Sequence, residues 1–334
     1  MRFKTRGRLS VKRLSRHLAD RLLGTEFDRA LRAARPRPGR VFVFGWNRGL
    51  GDIALGLMPL FAQIRATCAK SRIIVFTRPD LREPFMLAGV DDVHVIPGLE
   101  RGTPIDLVGA AADAGFAVED HHTVFADPDP TRWLDGRRHE YPPALQWKAT
   151  WNLKADRLLN VTDEVAVIGA HVDSETAQHY GYIKDWPIAS WRALIAHFPR
   201  ASNVHWVVFG NEAKESLEAS NITDLRGRTS FLELMAVIRT RCRVLVAPDS
   251  GVLTAAYYLD QDFPLDIVSL WSDPRQGILK QGCPSPNPRL NHVALQSPAE
   301  DVRKLPLQDV AAAIEAALGR AQQSSGKKSD AVPR

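Results

Sequence analysis

Residues 244–258 read VLVAPDSGVLTAAYY. An apolar run leads into Pro248, then Asp249-Ser250-Gly251, then a second apolar run rich in helix formers, which predicts a buried strand, a tight turn and a helix start. At the carboxyl edge of a sheet, such a turn presents backbone N–H groups and the positive end of a helix dipole, roughly half an elementary charge, an arrangement that favours phosphate. Gly251 lets a ligand approach the backbone and Ser250 adds a hydroxyl. The same residue types are also ordinary helix caps, so the surrounding chain decides between the two readings.

Working outward, the pattern of strand followed by helix repeats. Upstream, residues 165–168 read as a strand with Gly169-Ala170-His171 turning out of it, and residues 188–198 as a helix entered through Lys184-Asp185-Trp186-Pro187. Residues 204–209 form a strand ending at Gly210, and 212–219 a helix. Ser230 and Glu233 make a capping box that opens a helix to about residue 239. Downstream, 265–270 is a strand running into Trp271-Ser272-Asp273-Pro274, 306–318 a closing helix, and the polar stretch after Arg320 a disordered tail.

The first half repeats the theme. Residues 41–44 are an apolar strand, followed by the glycine-rich loop Gly45-Trp46-Asn47-Arg48-Gly49-Leu50-Gly51-Asp52 and an amphipathic helix to about residue 69. The loop matches neither the dinucleotide fingerprint nor the P-loop, which argues against an NAD-dependent enzyme. Strands at 72–76, 93–96 and 123–126, a short helix at 79–88 and a helix at 145–160 complete the first half. Two parallel α/β sheets follow from this alternation, and ligands of such sheets bind at the carboxyl ends of the strands. The expected organisation is a basic extension at 1–39, a first Rossmann-like domain at 40–150, a second at 151–320, and the tail at 321–334.

Composition narrows the class. The 334 residues, 45% hydrophobic and 25% charged, describe a globular chain. The three cysteines, Cys68, Cys242 and Cys283, lie far apart with no metal-ligand spacing, which suits a reducing compartment. Of the net charge of +6, residues 1–40 supply +10, from 13 Lys and Arg against 3 Asp and Glu, so the basic pI belongs to one end and not to a nucleic-acid-binding core. No apolar run is long enough to span a membrane, and no signal-peptide core is present, so a cytoplasmic protein is expected. Leu14, Leu18 and Leu22 share a helical face among arginines. Residues 1–36 therefore read either as a surface helix on an anionic membrane, on the inner face, or as an extra helix packed on the body.

Several stretches, in order, resemble glycosyltransferase family 9, the bacterial heptosyltransferase family. They are LGDIALGLMPLFAQIR, IGAHVDSETAQHYGYIKDWPIASWRALIAHF, VVFGNEAKE, DLRGRTSFLELMAVIRTRCRVLVAPDSG and LWSDP. The resemblance implies a GT-B fold, two Rossmann-like domains facing a cleft, and metal-independent, cofactor-free transfer of a sugar from a nucleotide-diphosphate donor to a cell-envelope glycan or glycolipid, with inversion. By the same resemblance, Asp52 matches the general base. Lys184 and the turn Asp249, Ser250 and Gly251 match the donor diphosphate site, with Asp249 orienting the turn. Glu212, or alternatively Glu215, matches a glutamate near the nucleotide ribose, and Ser272 and Asp273 reach the same edge. Asn47, Arg48 and Gly51 lie in the loop that faces the acceptor, Arg48 being suited to an acceptor phosphate or carboxylate. Where the family often has His, this chain has Thr254, which can hydrogen-bond phosphate but brings no charge. That departure leaves open a catalytically silent sugar-nucleotide binding module on the same scaffold. A sugar-nucleotide epimerase would need a paired acid and base that the sequence does not show.

Overall fold

The computed structural model describes residues 24–125, 140–162, 164–174, 183–199 and 203–329, the last nine positions by backbone alone. Two parallel sheets carry the fold. The first has the order β3-β2-β1-β4, with β1 Val41–Trp46, β2 Arg72–Thr77, β3 Asp92–Val95 and β4 His122–Phe125. β1 is buried along its whole length, as its unbroken apolar run requires of a strand covered on both faces. The second sheet has the order β12-β11-β9-β6-β7-β8. Its strands are β6 Ala166–His171, β7 Val204–Phe209, β8 Ile222–Asp224, β9 Cys242–Pro248, β11 Leu265–Trp271 and β12 Leu290–Gln296. A two-residue parallel pair, β5 Leu145–Gln146 with β10 Leu259–Asp260, stitches the halves together.

Helices cover both faces of each sheet. In chain order they are α1 Glu26–Ala34, α2 Met58–Thr67, α3 Arg82–Leu87, α4 Leu107–Asp113, α5 Ile188–His197, α6 Phe231–Thr240, α7 Gly251–Tyr257, α8 Gly277–Gln281 and α9 Leu307–Ser329. One apolar cluster runs from Phe42, Phe44 and Leu57 in the first half to Met235, Leu245 and Leu253 in the second, so the halves share a core along their seam. A second cluster under α5 and α9, holding Trp191 and Trp206, and a third under α4 close the outer faces. Glu83 of α3 reaches across the seam and accepts the Leu232 N–H at 2.8 Å, where the α6 dipole favours a carboxylate.

Several expectations are corrected. Residues 145–160 are not one helix: β5 is followed by a 3₁₀ segment, Ala149–Lys154. Gly169-Ala170-His171 is not a turn but the end of β6, which continues because Val172 N–H bonds the Phe209 carbonyl at 3.1 Å. No helix forms over 212–219. The closing helix continues to Ser329, into the stretch expected to be a disordered tail. Of the basic extension, residues 1–23 lie outside the described residues. Residues 26–34 form α1, which buries Phe27, Leu31 and Ala34 and is started by a Thr25–Asp28 capping box, so this part packs on the body.

Candidate active site

The glycine-rich loop after β1 and the turn after β9 meet at the seam. A Cβ added at Gly251 would lie 2.7 Å from Leu50 Cδ2 and 3.1 Å from the Gly51 nitrogen, and one added at Gly51 would lie 3.3 Å from Thr254 Oγ1. Two glycines, one from each half, thus let the loop bearing Asp52 press on the N-terminus of α7. Below that contact, a crevice of only about 10 Å³, lined by Leu50, Ile53, Phe231, Thr254 and Ala255 among others, shows how closely the halves pack.

Asp52 precedes a π-helical turn, Ile53–Leu57, in which the Met58 N–H bonds the Ile53 carbonyl. Pro59 follows, and its ring would clash with the Leu55 carbonyl in an α-helix, so the wider turn relieves it. The Asp52 side chain caps no helix N–H. It is exposed by surface area and reachable from solvent, yet protein surrounds it on enough sides that desolvation is the largest influence on its carboxyl and pushes it upward. Arg101, Lys184 and Arg48 pull it back down in that order, and Asp249 adds a smaller upward push. Accessibility describes how a substrate reaches the group, whereas the density of surrounding protein sets its charge preference.

Lys184 and Asp249 form an ion pair, Nζ to Oδ2 at 2.5 Å, with side chains only 14% and 11% exposed. The other Asp249 oxygen abuts Gly277, whose φ of +50° and open Cβ position leave it room. Asp249 therefore holds the lysine. Ser250 caps α7, its Oγ accepting the Leu253 N–H at 3.2 Å, and retains its own hydroxyl proton to donate.

The structure places the other expected site residues as follows. Thr254 is 2% exposed and its hydroxyl donates to the Ser250 carbonyl at 3.0 Å, so it belongs to the seam. Gly51 faces Thr254 and Gly251. Asn47 is buried, and its amide donates to the carbonyls of Glu100 (3.0 Å) and Thr103 (2.5 Å), clamping the loop after β3. Arg48 lies over the Trp46 ring at 5.9 Å and lines, with Trp46, Asn47 and residues 102–105, a cavity of about 210 Å³. Glu212 is exposed and 3.6 Å from Lys214, while Glu215 pairs with Arg192 at 3.0 Å. Ser272 donates to the Ile183 carbonyl and accepts the Val302 N–H at 2.8 Å, which ties down the segment leading to Lys184. Asp273 forms a local pair with Arg275 at 2.8 Å, and those hydrogen bonds hold its carboxyl below the usual range.

Arg101 was not legible as a site residue, because the loop at 98–106 has no periodicity; Asn47 bonds that loop on either side of it, at Glu100 and Thr103. Asp173 and Asp185 were also missed. Both are raised by desolvation, Asp185 to about 6 with Asp173 adding to it, at the carboxyl ends of β6 and β7. Among the described residues, no group of three or more His, Cys, Asp or Glu comes together as a metal site, and no helix is long and apolar enough to cross a membrane.

Comparison with known proteins agrees with this architecture. The family model for glycosyltransferase family 9 (heptosyltransferase) matches residues 109–261. That span holds Lys184 and the 249–251 turn but not Asp52. The structure is similar to E. coli ADP-heptose LPS heptosyltransferase II, at 15% identity over 85% of this chain and 99% of that one, with a TM-score of 0.59. It is also similar to the family 9 glycosyltransferase of Veillonella parvula DSM 2008, at 15% identity over 85% and 98%, with a TM-score of 0.60. Among curated proteins, none matches by sequence. The resemblance to family 9 is borne out by the family match, and with it the enzyme class, a glycosyltransferase. The GT-B-like fold of parallel sheets is borne out by both structures.

Proposed function

Taking that family likeness and fold as premise, we propose that this protein moves a sugar from a nucleotide-diphosphate donor to a glycan or glycolipid acceptor of the cell envelope, with inversion and without a metal. The observation that carries the reading is convergence: Asp52, the Lys184–Asp249 pair and the Ser250-Gly251 turn gather along one seam between two parallel sheets. The first sheet then belongs to the acceptor domain, 40–150, and the second to the donor domain, 151–320.

The donor diphosphate sits on the Ser250-Gly251 turn, where the backbone N–H groups of α7 and the Ser250 hydroxyl bind its oxygens. Lys184 stands beside it and stabilises the negative charge that grows on the leaving diphosphate as the bond to the sugar breaks. Asp52 takes the proton of the acceptor hydroxyl as that oxygen attacks the anomeric carbon from the opposite face, giving inversion. Its access to solvent and its freedom from capping suit it to the task, and Arg48 supplies a cation for an acidic acceptor. The E. coli protein similar in fold is named for ADP-heptose, which makes an ADP-linked sugar the first donor to test.

A thermal-shift panel of nucleoside diphosphates and sugar nucleotides identifies the donor, since a ligand at a hundredfold its Kd adds about 2.7 kcal/mol of stability. With that donor, Asp52→Asn is expected to bind as the wild type does and to lose turnover at least a hundredfold. Full activity in this variant removes Asp52 from the base role. Donor binding without turnover in the wild type, across a broad acceptor screen, would instead favour the silent binding module that the buried, uncharged Thr254 leaves open.

A further inference from the structure

The charge that controls Asp52 comes from a loop that no motif marks. Asn47, whose amide is buried, fastens the segment after β3 through the Glu100 and Thr103 carbonyls. Between those two anchors stands Arg101. Its Nε and Nη1 atoms are buried, so the guanidinium is held by its surroundings and not waving in solvent. A Cβ placed on Gly49 would lie 2.9 Å from Asp52 Oδ2 and 3.5 Å from Arg101 Nη2. The carboxylate and the guanidinium therefore border the same point, and glycine at position 49 leaves that space open between them.

We propose that Arg101 is a positioning residue for Asp52: delivered by the Asn47-clamped loop and given room by Gly49, it fixes the orientation of the carboxylate and sets a cation beside it. The proposal rests on the reading of Asp52 as general base, and extends it to a residue outside the stretches that resemble the family. The groups that face Asp52 are Arg48 on its own loop, Arg101 from the loop after β3, and Lys184 and Asp249 from the second half, and Arg101 exerts the strongest of the charge effects. A planar guanidinium suits the task because it presents its N–H groups in a fixed fork, whereas an ammonium acts as a point charge. Without this cation, desolvation at the seam would go unopposed by its largest counterweight, and the carboxyl would hold its proton at higher pH, where it cannot act as a base.

The test reads Asp52 directly, without any substrate. The full chain is labelled with ¹³Cγ-aspartate and titrated by NMR, with the Asp52 resonance assigned as the one missing in Asp52→Asn. In Arg101→Gln the Asp52 midpoint is expected to rise by about one pH unit or more, the scale on which a nearby opposite charge acts. Arg101→Lys is expected to restore most of the wild-type midpoint, and Asn47→Ala, which releases the loop, to raise it by less than Arg101→Gln. A midpoint in Arg101→Gln within about 0.3 of the wild type overturns the proposal, as does a lysine variant as displaced as the glutamine one. If Arg101→Gln does not fold, Asn47→Ala decides: a rise supports the proposal and an unmoved midpoint overturns it. Failure here, with Asp52→Asn still inactive, would leave the proposed reaction standing, whereas an active Asp52→Asn would remove the reaction whatever the titration shows.

Discussion

Gly251→Ala probes the seam with one added carbon. That carbon would meet Leu50 Cδ2 at 2.7 Å, Leu50 Cβ at 2.8 Å and the Gly51 nitrogen at 3.1 Å. Carbon atoms rest at about 3.5 Å or more, so Leu50 must withdraw by about 0.8 Å. Leu50 Cδ2 can escape by rotating, but its Cβ and the backbone of Gly51 move only if the loop moves. Overpacking of this kind costs about 1–3 kcal/mol. Asp52 is the next residue but one, and a displacement near 1 Å at a reacting group costs roughly a hundredfold in rate. The expected result is a Tm lowered by a few degrees together with a fall in turnover of about ten- to a hundredfold, measured as nucleoside diphosphate released from the donor that the thermal-shift panel selects. Gly51→Ala is the internal control. Its closest contacts, 3.3 Å to Thr254 Oγ1 and 3.5 Å to Gly251 Cα, ask for only a few tenths of an ångström, so its effect on both readouts should be much smaller. Adding Leu50→Ala to Gly251→Ala removes the contact with Cδ2 and keeps that with Cβ, and should recover part of the loss. A Gly251→Ala protein that melts and turns over like the wild type, or a Gly51→Ala protein that is the worse of the two, would refute the contact between the halves.

Two further outcomes follow from residues around that contact. Thr254→Val removes a hydroxyl that bonds the Ser250 carbonyl and should cost about 1 kcal/mol of stability while leaving donor affinity unchanged by isothermal titration; a tenfold loss of affinity would put Thr254 on the phosphate after all. Burial raises Asp185 from 3.8 to about 6, so between those values the folded protein holds a proton that the unfolded chain has released, and stability is fullest below the lower value and declines as pH rises through the upper one. Urea midpoints from pH 4 to 7 should fall by an amount worth about 1–2 kcal/mol after solvent screening, and Asp185→Asn should flatten that slope; an identical slope in the variant would assign it to another group.

The parts of the fold legible in the sequence are those whose cause is local or one-dimensional. β1 and β9 are runs of apolar residues because both faces of each sheet are covered, and Ser230 with Glu233 announces α6 because a capping box needs only neighbours in sequence. The failures are places where a distant group overrides local preference. Residues 212–219 carry good helix formers, yet arginines take their carbonyls: Arg226 binds that of Glu215 at 2.8 Å and Arg192 that of Ser216 at 3.0 Å. The stretch at 145–160 has helical spacing, but Leu145 pairs with Leu259 across the seam, and Trp147 stacks edge-on against Trp151 at 5.2 Å. β12 went unread because an edge strand need not be apolar, and LNHVALQ is half polar. Within the site, the 249–251 turn stood out by its strand–turn–helix pattern and Asp52 and Lys184 by resemblance, whereas Asn47 and Thr254 looked like ligand contacts because sequence cannot say where an amide or hydroxyl is already bonded.

Thr254 and the glycine it faces explain how the proposed reaction can do without a cation at position 254. A histidine there would bring charge but would need space on a side where even a Cβ added at Gly51 would lie only 3.3 Å from Thr254 Oγ1. The small residue permits the glycine-to-glycine approach, and in the proposed reaction the positive charge for a diphosphate is left to the α7 dipole and Lys184. Holding Lys184 against Asp249 places the ammonium before a donor arrives, so little conformational freedom is lost on binding. It also balances part of that charge before the donor binds. In the proposed reaction an incoming diphosphate would compete with Asp249 for the lysine, and the gain would be largest as the leaving group separates and its charge exceeds that of the carboxylate. An arrangement of this kind favours the departing diphosphate over the resting donor, which is what transfer, as opposed to storage of a sugar nucleotide, requires.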